Sequence, residues 1–297
     1  MTTDYSDIIT QAVEKLSEHE NYQLLCLQRQ GGKALPSGKK LKEIIEQARS
    51  VLFPGYFGGS QINPQTIRYH IGVNTEKLFV LLKEQIYAGL CFHNQKDTDC
   101  FNEYKNRSDA LAAEFISRLP ELRRIIDTDV EATYNGDPAA ESFGEVIFCY
   151  PSIRAVSNYR IAHELLLSGV PIIPRMITEM AHSETGIDIH PGAKIGESFT
   201  IDHGTGVVIG ATAVIGNRVK LYQGVTLGAK SFPLDDRGNP IKGIPRHPII
   251  EDDVIIYSNA TILGRIKIGK GAVIGANIWV TEDVPPEGRI VQSKAGK

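Results

Sequence analysis

From Ile189 to Pro285 the chain places an aliphatic residue at every sixth position, with one short slip and one long interruption. A six-residue period matches neither the face of an α-helix nor a long flat strand. It is typical of a coil of short strands and tight turns, because each unit can bury its apolar side only by stacking on its neighbours. The positions in register are Ile189, Ile195, Ile201, Ile209, Ile215, Leu221, Leu227, Ile250, Ile256, Ile262, Ile268, Ile274 and Val280.

The repeat is irregular in two places. A two-residue slip occurs at Val207–Val208, and the register is displaced by twenty-three residues between Leu227 and Ile250. The surplus, residues 229–245, is rich in proline and glycine, so we expect it to leave the coil as an excursion loop. Long loops on a rigid scaffold often carry function.

Residues 1–183 lack the six-residue repeat and are predicted to form an all-helical domain, followed by the coil at 184–297. A chain of 297 residues has room for about two domains of this kind. The spacing of apolar residues and the boundary signals predict seven helices, with Pro120 starting one of them. They are Asp4–His19, Lys39–Leu52, Pro64–Phe92, Ser108–Leu119, Pro120–Tyr134, Ser152–Ser168 and Arg175–His182.

Composition excludes several classes of protein. Hydrophobic residues make up 42% of the chain and charged residues 23%, an ordinary balance for a globular protein. The net charge of −3 gives no basic field for nucleic acid or an anionic membrane. The chain has no apolar run of membrane-spanning length and no signal peptide. The four cysteines show no metal-ligand spacing, which indicates reduced packing residues and a cytoplasmic location.

Three polar motifs interrupt the coil, at residues 186–191 (GIDIHP), 201–206 (IDHGTG) and 245–248 (PRHP). Asp188 and His203 are fifteen residues apart, and residues about one turn apart stack in a three-sided coil. We therefore expect them to meet near one edge. A carboxylate beside an imidazole fixes its tautomer and stabilises the imidazolium, so the pair would form a general base. Such a base contributes ~10²–10⁴-fold to a rate.

These motifs resemble those of the serine O-acetyltransferases of bacteria and plants, acyltransferases that begin cysteine biosynthesis. The resemblance covers about residues 127–285 and implies an α+β fold: an N-terminal all-helical domain followed by a left-handed parallel β-helix of hexapeptide repeats. The repeat alone would fit other acyltransferases equally well, whereas the combined motifs are more specific. The matching stretches are 137–140 (DPAA), 158–163 (NYRIAH), 188–196 (DIHPGAKIG), 202–210 (DHGTGVVIG), 222–228 (YQGVTLG) and 246–248 (RHP).

The resemblance implies transfer of an acetyl group from acetyl-CoA to the hydroxyl of L-serine, giving O-acetyl-L-serine and CoA. His203 would be the general base and Asp188 its orienting partner. His247 would be a second imidazole near the reacting centre. Acetyl-CoA would be a co-substrate, and no metal and no permanently bound cofactor is expected.

The resemblance also implies the substrate contacts. Arg246 would bind the serine carboxylate, for which a planar guanidinium is suited. Asp137 and Asp202 would accept hydrogen bonds from the serine ammonium, which keeps the amine protonated and directs acetyl transfer to oxygen. The residues expected to contact acetyl-CoA are Gly228, Ala229, Ser258, Lys267 and Lys270.

Family members further imply a homotrimer or a dimer of trimers with active sites between adjacent coils, and L-cysteine as a feedback inhibitor. Neither nucleic acid nor membrane is an expected partner. Well-studied members carry a C-terminal tail ending in isoleucine that binds the sulfhydrylase of the next step. This chain ends at Lys297, so we expect no tail-mediated complex.

Three alternatives remain open from the sequence. The first is a hexapeptide acyltransferase with another acyl acceptor, which acceptor kinetics would distinguish. The second is a γ-class carbonic anhydrase-like metalloprotein with His190, His203 and His247 as ligands, although the paired HxxxxH spacing of that class is absent. The third is a non-catalytic scaffold, against which the intact motifs argue.

Overall fold

A computed structural model describes residues 5–18, 35–59, 62–93 and 101–292. In these ranges seven helices precede fourteen short strands, which confirms the expected fold class. The helices are α1 (Ser6–Ser17), α2 (Gly38–Leu52), α3 (Ile67–His93), α4 (Phe101–Gly136), α5 (Phe143–Cys149), α6 (Pro151–Leu167) and α7 (Ile173–Thr185).

The predicted helix boundary at Pro120 is wrong, because α4 runs through that residue without a break. An interior proline costs a helix about 3 kcal/mol. Phe115 and Leu122, on either side of Pro120, are each only 2% exposed. Burying a side chain of this size contributes about 1.5–3 kcal/mol, so packing on both sides of the proline offsets its cost.

The short helix α5 was not predicted. Ser142 caps it, since its hydroxyl accepts a hydrogen bond from the backbone of Glu145, and the Glu145 carboxylate accepts one from the backbone of Glu141. A serine followed three residues later by glutamate is a recognised signature of a helix start. The Ser142–Glu145 spacing could therefore have identified this helix from the sequence.

The fourteen strands wind into three parallel sheets. Sheet 1 has the order β1-β4-β7-β10-β13, sheet 2 the order β11-β8-β5-β2, and sheet 3 the order β14-β12-β9-β6-β3. The strands are β1 (Asp188–Ile189), β2 (Lys194–Ile195), β3 (Thr200–Asp202), β4 (Val208–Ile209), β5 (Val214–Ile215), β6 (Lys220–Tyr222), β7 (Thr226–Gly228), β8 (Ile249–Ile250), β9 (Ile255–Ile256), β10 (Thr261–Leu263), β11 (Lys267–Ile268), β12 (Val273–Ile274), β13 (Trp279–Val280) and β14 (Arg289–Ile290).

The six-residue repeat forms the core of this β-helix. Twelve of the thirteen repeat positions are buried, and Ile195 is half-buried against the same cluster. In the regular part of the coil, Val208 stacks on Thr226, eighteen residues later. The first turn is two residues longer, because Asp188 stacks on Val208. The slip seen in the sequence is thus absorbed in the turn that follows β3.

Helix α6 joins the helical region to the β-helix. Its Arg160 pairs with the buried Asp129 of α4 at 2.8 Å and also donates hydrogen bonds to the carbonyls of Ile195 and Gly196 in the first coil. The hydroxyl of Tyr159 donates to the carbonyl of Ala193. The 158–163 motif therefore docks the helices onto the coil, which fixes the end of α4 beside β3 and β6.

Residues 229–245 leave the coil between β7 and β8. Leu234 and Pro240 form an antiparallel bridge, and the Asp235 carboxylate accepts hydrogen bonds from two backbone amides of the same loop. Phe232, Leu234 and Ile241 are exposed. Within the described ranges, none of the helices has the length and apolarity needed to cross a bilayer.

The expectation that the cysteines are packing residues is met in part. Cys91 is buried, whereas Cys149 is exposed, and both are free thiols. Cys26 and Cys100 lie outside the described residues, as does the C-terminal segment 293–297 on which the expected lack of a tail-mediated complex depends.

Candidate active site

His203 lies in the turn between β3 and β4, at one edge of sheet 1; we call residues 202–206 the His203 corner. Its φ of 57° is left-handed, a conformation uncommon for a residue with a side chain and frequent at functional sites. Gly204 follows with φ 98°, and a Cβ there would lie 2.5 Å from the Ile187 side chain. The tight turn presents the imidazole to solvent with its side chain 75% exposed.

The carboxylate nearest to His203 in the chain is that of Asp202, whose Oδ1 is 3.8 Å from Nε2. Asp188 instead faces Arg175 at 3.8 Å. The expectation that Asp188 and His203 meet within one chain is wrong, since a turn of the coil takes eighteen to twenty residues rather than fifteen. Asp188 therefore stacks below Val208, whereas His203 occupies the preceding corner.

Asp137 approaches the His203 corner from the end of α4. Its carboxylate accepts hydrogen bonds from the Tyr150 hydroxyl at 2.6 Å and from the Ala139 backbone at 2.8 Å. The Tyr150 bond is the main cause that lowers the pKa of Asp137, and the same bond raises the pKa of Tyr150 to about 12. Asp137 and Asp202 line one small cavity together with Lys220.

His247 lies at the opposite edge of sheet 1; we call residues 210–212 and 246–248 the His247 corner. In contrast to His203, this ring is only 7% exposed. Its Nδ1 accepts a hydrogen bond from the Thr212 backbone N–H at 3.1 Å and lies 2.8 Å from the Thr212 hydroxyl. The ring packs on Gly210, where a Cβ would lie 2.0 Å from its Cδ2.

Burial keeps the His247 ring neutral. It lowers the pKa of His247 to about 4, and the nearby charges of Arg246, His190 and Arg265 lower it further. Because a backbone N–H can only donate, Nδ1 acts as the acceptor and the proton of the neutral ring is on Nε2. His247 is therefore arranged as a hydrogen-bond donor rather than a base.

Arg246 is attached to the same corner. Its backbone N–H donates to the Thr212 hydroxyl at 2.9 Å, and its guanidinium lies over the Phe232 ring of the excursion loop at 5.6 Å. Its Nε is enclosed without a hydrogen-bond partner among the described residues. A guanidinium supported on one face, with donors still available, is suited to a carboxylate.

The residues expected to contact acetyl-CoA do not form one cluster. Gly228 and Ala229 lie beside the His247 corner, at the start of the excursion, whereas Ser258 follows β9 at the edge of sheet 1 that carries His203. Lys267 projects from sheet 2 and pairs with Glu251 at 2.5 Å. Lys270 is at the edge between sheets 2 and 3, 3.8 Å from Asp253, and so belongs to neither corner.

Imidazoles do not converge as a metal site would require. Within one chain, His190 and His247 lie at one edge of sheet 1 and His203 at the other. Over the ranges that the structure describes, the residues close enough to hold an ion are instead Glu179, His182 and Asp188. Arg175 pairs with Glu179 and approaches Asp188, so a cationic side chain already accompanies these carboxylates.

Sequence reasoning missed four side chains that shape the site: Thr212, Tyr150, Lys220 and Phe232. Thr212 is a polar residue at a coil corner one turn below the PRHP motif, and that position was a usable signal. Phe232 is in the excursion that the interrupted repeat had already marked. Tyr150 and Lys220 carry no such signal, since each acts across the boundary between the helices and the coil.

Comparison with known proteins gives consistent results. A family model described as bacterial transferase hexapeptide (six repeats) matches residues 247–277. A curated serine acetyltransferase of Synechococcus elongatus, described as plasmid, is 51% identical over 263 residues, covering 88% of this chain and 82% of its own length.

Solved structures extend the similarity to the whole architecture. Serine acetyltransferase 1 of Entamoeba histolytica, solved in complex with L-cysteine, superposes with a TM-score of 0.72 at 34% identity, covering 96% of this chain and 98% of that one. Soybean serine acetyltransferase, solved in complex with serine, superposes with a TM-score of 0.55 at 31% identity, covering 86% and 96%.

Proposed function

Because this chain belongs to the serine acetyltransferase family, we propose how its own residues carry out serine O-acetylation. The protein is a serine O-acetyltransferase, an acyltransferase whose homologues use acetyl-CoA as co-substrate. The observation that supports the mechanism best is the pair of histidines with opposite environments at the two edges of sheet 1.

His203 is the general base. Its exposed imidazole takes the proton of the serine hydroxyl as the oxygen attacks the thioester carbonyl, and the C–O bond forms. The C–S bond then breaks, and the CoA thiolate takes the proton back from the imidazolium. A base must gain and lose a proton in every cycle, which the exposure of His203 permits.

His247 stabilises the negative charge that develops on the carbonyl oxygen. Its neutral ring, with the proton on Nε2, offers a donor that is fixed by Thr212 before the reaction begins. Fixed donors of this kind act without reorganisation, and removing one typically costs ~10²–10³-fold in turnover.

Asp137 and Asp202 bind the serine ammonium, and Arg246 binds the serine carboxylate. The lowered pKa of Asp137 keeps it ionised for this purpose. An amine held between carboxylates stays protonated and cannot compete with the hydroxyl for the acetyl group. L-Cysteine carries the same ammonium and carboxylate, so it competes with L-serine as a feedback inhibitor.

The two corners come together between adjacent copies of the chain. In one chain they lie at opposite edges of sheet 1, whereas in a ring of three coils the His203 corner of one copy meets the His247 corner of the next. Asp188, at the second edge, then reaches His203 from the neighbouring copy and orients it. The assembly is a homotrimer or a dimer of trimers, and acetyl-CoA lies in the groove between coils, contacting Gly228, Ala229 and Ser258.

Mixing two inactive variants tests this arrangement. His203→Ala and Arg246→Ala each spoil one corner, but a site that takes one corner from each variant is intact. Random reassembly of equal amounts gives intact sites at about one quarter of interfaces. The assay follows free CoA from acetyl-CoA and L-serine, confirms O-acetyl-L-serine, and includes inhibition by L-cysteine.

The control for the mixture is a double variant, His203→Ala with Arg246→Ala, reassembled with either single variant. It contributes no intact corner of the missing kind, so activity should not return. A mixture of the two single variants that stays inactive after verified subunit exchange would contradict the intersubunit site. A monomeric mass by light scattering would contradict it as well.

A further inference from the structure

The cavity between Asp137 and Asp202 already contains an ammonium group, that of Lys220. Its Nζ lies 3.5 Å from Asp202 Oδ2 and donates a 2.7 Å hydrogen bond to the Gly136 carbonyl. The Lys220 and Asp202 side chains are only 19% and 21% exposed. This ion pair is therefore far less screened by solvent than a surface pair.

Lys220 connects two parts of the molecule that have no other reason to keep a fixed distance. Gly136 is the last residue of α4, and a cation at a helix C-terminus satisfies carbonyls that lack partners within the helix. Asp137 is the next residue of the chain. Asp202 ends β3, the strand beside β6, which carries Lys220. One side chain thus fixes the helix end that presents Asp137 and the strand that presents Asp202.

The side chain of Lys220 is itself held in place. Its Nζ lies 4.8 Å from the centre of the Tyr222 ring, and Tyr222 stacks on Tyr257 of the next coil with centroids 5.0 Å apart. The cation on an aromatic face, supported by a second ring, limits the conformations that the lysine can adopt.

We propose that Lys220 is a positioning residue for recognition of the acceptor's amino group. It neutralises one of the two carboxylates and sets their separation, so that the pair retains one net negative charge for one substrate ammonium. The cavity beside it measures about 10 Å³, the space of a single water. The substrate ammonium therefore binds at the mouth of this cavity, in front of Lys220, rather than in its place.

This inference rests on the proposed role of Asp137 and Asp202, and the test separates the two. The acceptors are L-serine and 3-hydroxypropanoate, which is serine without the amino group and is measured as acceptor or as competitor of L-serine. Wild-type enzyme should strongly prefer L-serine. Lys220→Met should raise the KM for L-serine about tenfold, change kcat and the KM for acetyl-CoA little, and leave the constant for 3-hydroxypropanoate unchanged.

Two further variants control for structure. Lys194→Met makes the same change at an exposed strand position of the coil and should leave both acceptors unaffected. Lys220→Arg keeps the charge and should lie between wild type and Lys220→Met in its preference for L-serine. Its value also keeps the test available if Lys220→Met fails to fold.

The outcomes are distinct. If wild type does not distinguish the two acceptors, the acid pair does not bind an ammonium, and both proposals fall. If wild type distinguishes them and Lys220→Met does so equally, only the role of Lys220 is overturned. A loss that is equal for both acceptors would likewise overturn it, because a merely structural lysine would act in that way.

Discussion

The two edges of sheet 1 carry the same residue type in opposite environments. His203 is in a left-handed turn with three quarters of its side chain exposed, whereas His247 is buried against Gly210 and hydrogen-bonded by Thr212. The first environment allows a proton to be gained and lost, and the second fixes a neutral donor. The comparison shows that the surroundings of each imidazole, and not its identity, divide base and donor between the two histidines.

The largest effect should come from the exposed corner. His203→Ala removes proton abstraction, so we expect turnover to fall by at least ~10²-fold while acetyl-CoA still binds. Steady-state kinetics and calorimetry with acetyl-CoA measure the two quantities. Turnover within a few-fold of wild type would remove His203 from the mechanism and leave the comparison without its first member.

The buried corner should respond to a change that does not touch a polar atom. In Gly210→Ala the new Cβ would lie 2.0 Å from Cδ2 of His247, so the ring must move away from Thr212. We expect turnover to fall by ~10²-fold, the effect of losing one fixed donor. Gly192→Ala, where a Cβ would lie no closer than 3.0 Å to a neighbouring atom, is the matched control and should retain most activity.

Arg246 tests whether the buried corner also binds the acceptor. Arg246→Lys replaces a planar fork with a point charge, so the KM for L-serine should rise about tenfold. The KM for acetyl-CoA should change much less. Equal changes in both constants would mean that Arg246 serves the fold or the co-substrate instead of the serine carboxylate.

The smallest effect should appear in stability against pH. The pKa of His247 is about 4 in the folded protein, below the value of about 6.5 for an unfolded chain. Between these values the unfolded state binds the extra proton, so stability is full above about pH 6.5 and decreases as the pH falls towards 4.

His247→Gln should flatten part of that decrease, on the order of 1 kcal/mol or roughly 2–4 °C in Tm. Thermal melts of wild type and variant from pH 7 to pH 4.5 measure it. His190, whose pKa is also lowered, mainly by burial, contributes equally to both proteins and cancels in the difference. Identical pH profiles would show that His247 is not held neutral.

The coil could be read from the sequence because its stabilising pattern is local. Each strand contributes one inward aliphatic residue, and the next in register lies six residues later, so positions such as Ile209 and Ile262 needed no knowledge of distant contacts. The same pattern revealed the excursion at 229–245 and, through the motifs it interrupts, the candidate residues of both corners. Local pattern misled at Pro120, where burial on both sides of the proline decides that α4 continues.

What only the tertiary structure decided is which of those residues meet. Sequence spacing paired Asp188 with His203, but a turn of eighteen to twenty residues places them at different corners. The neutral state of His247 depends on a backbone N–H of Thr212, thirty-five residues away. The distance between Asp137 and Asp202 depends on Lys220 reaching the end of α4. Residue types and periods are properties of the chain, whereas burial and hydrogen-bond geometry exist only once distant segments have packed together.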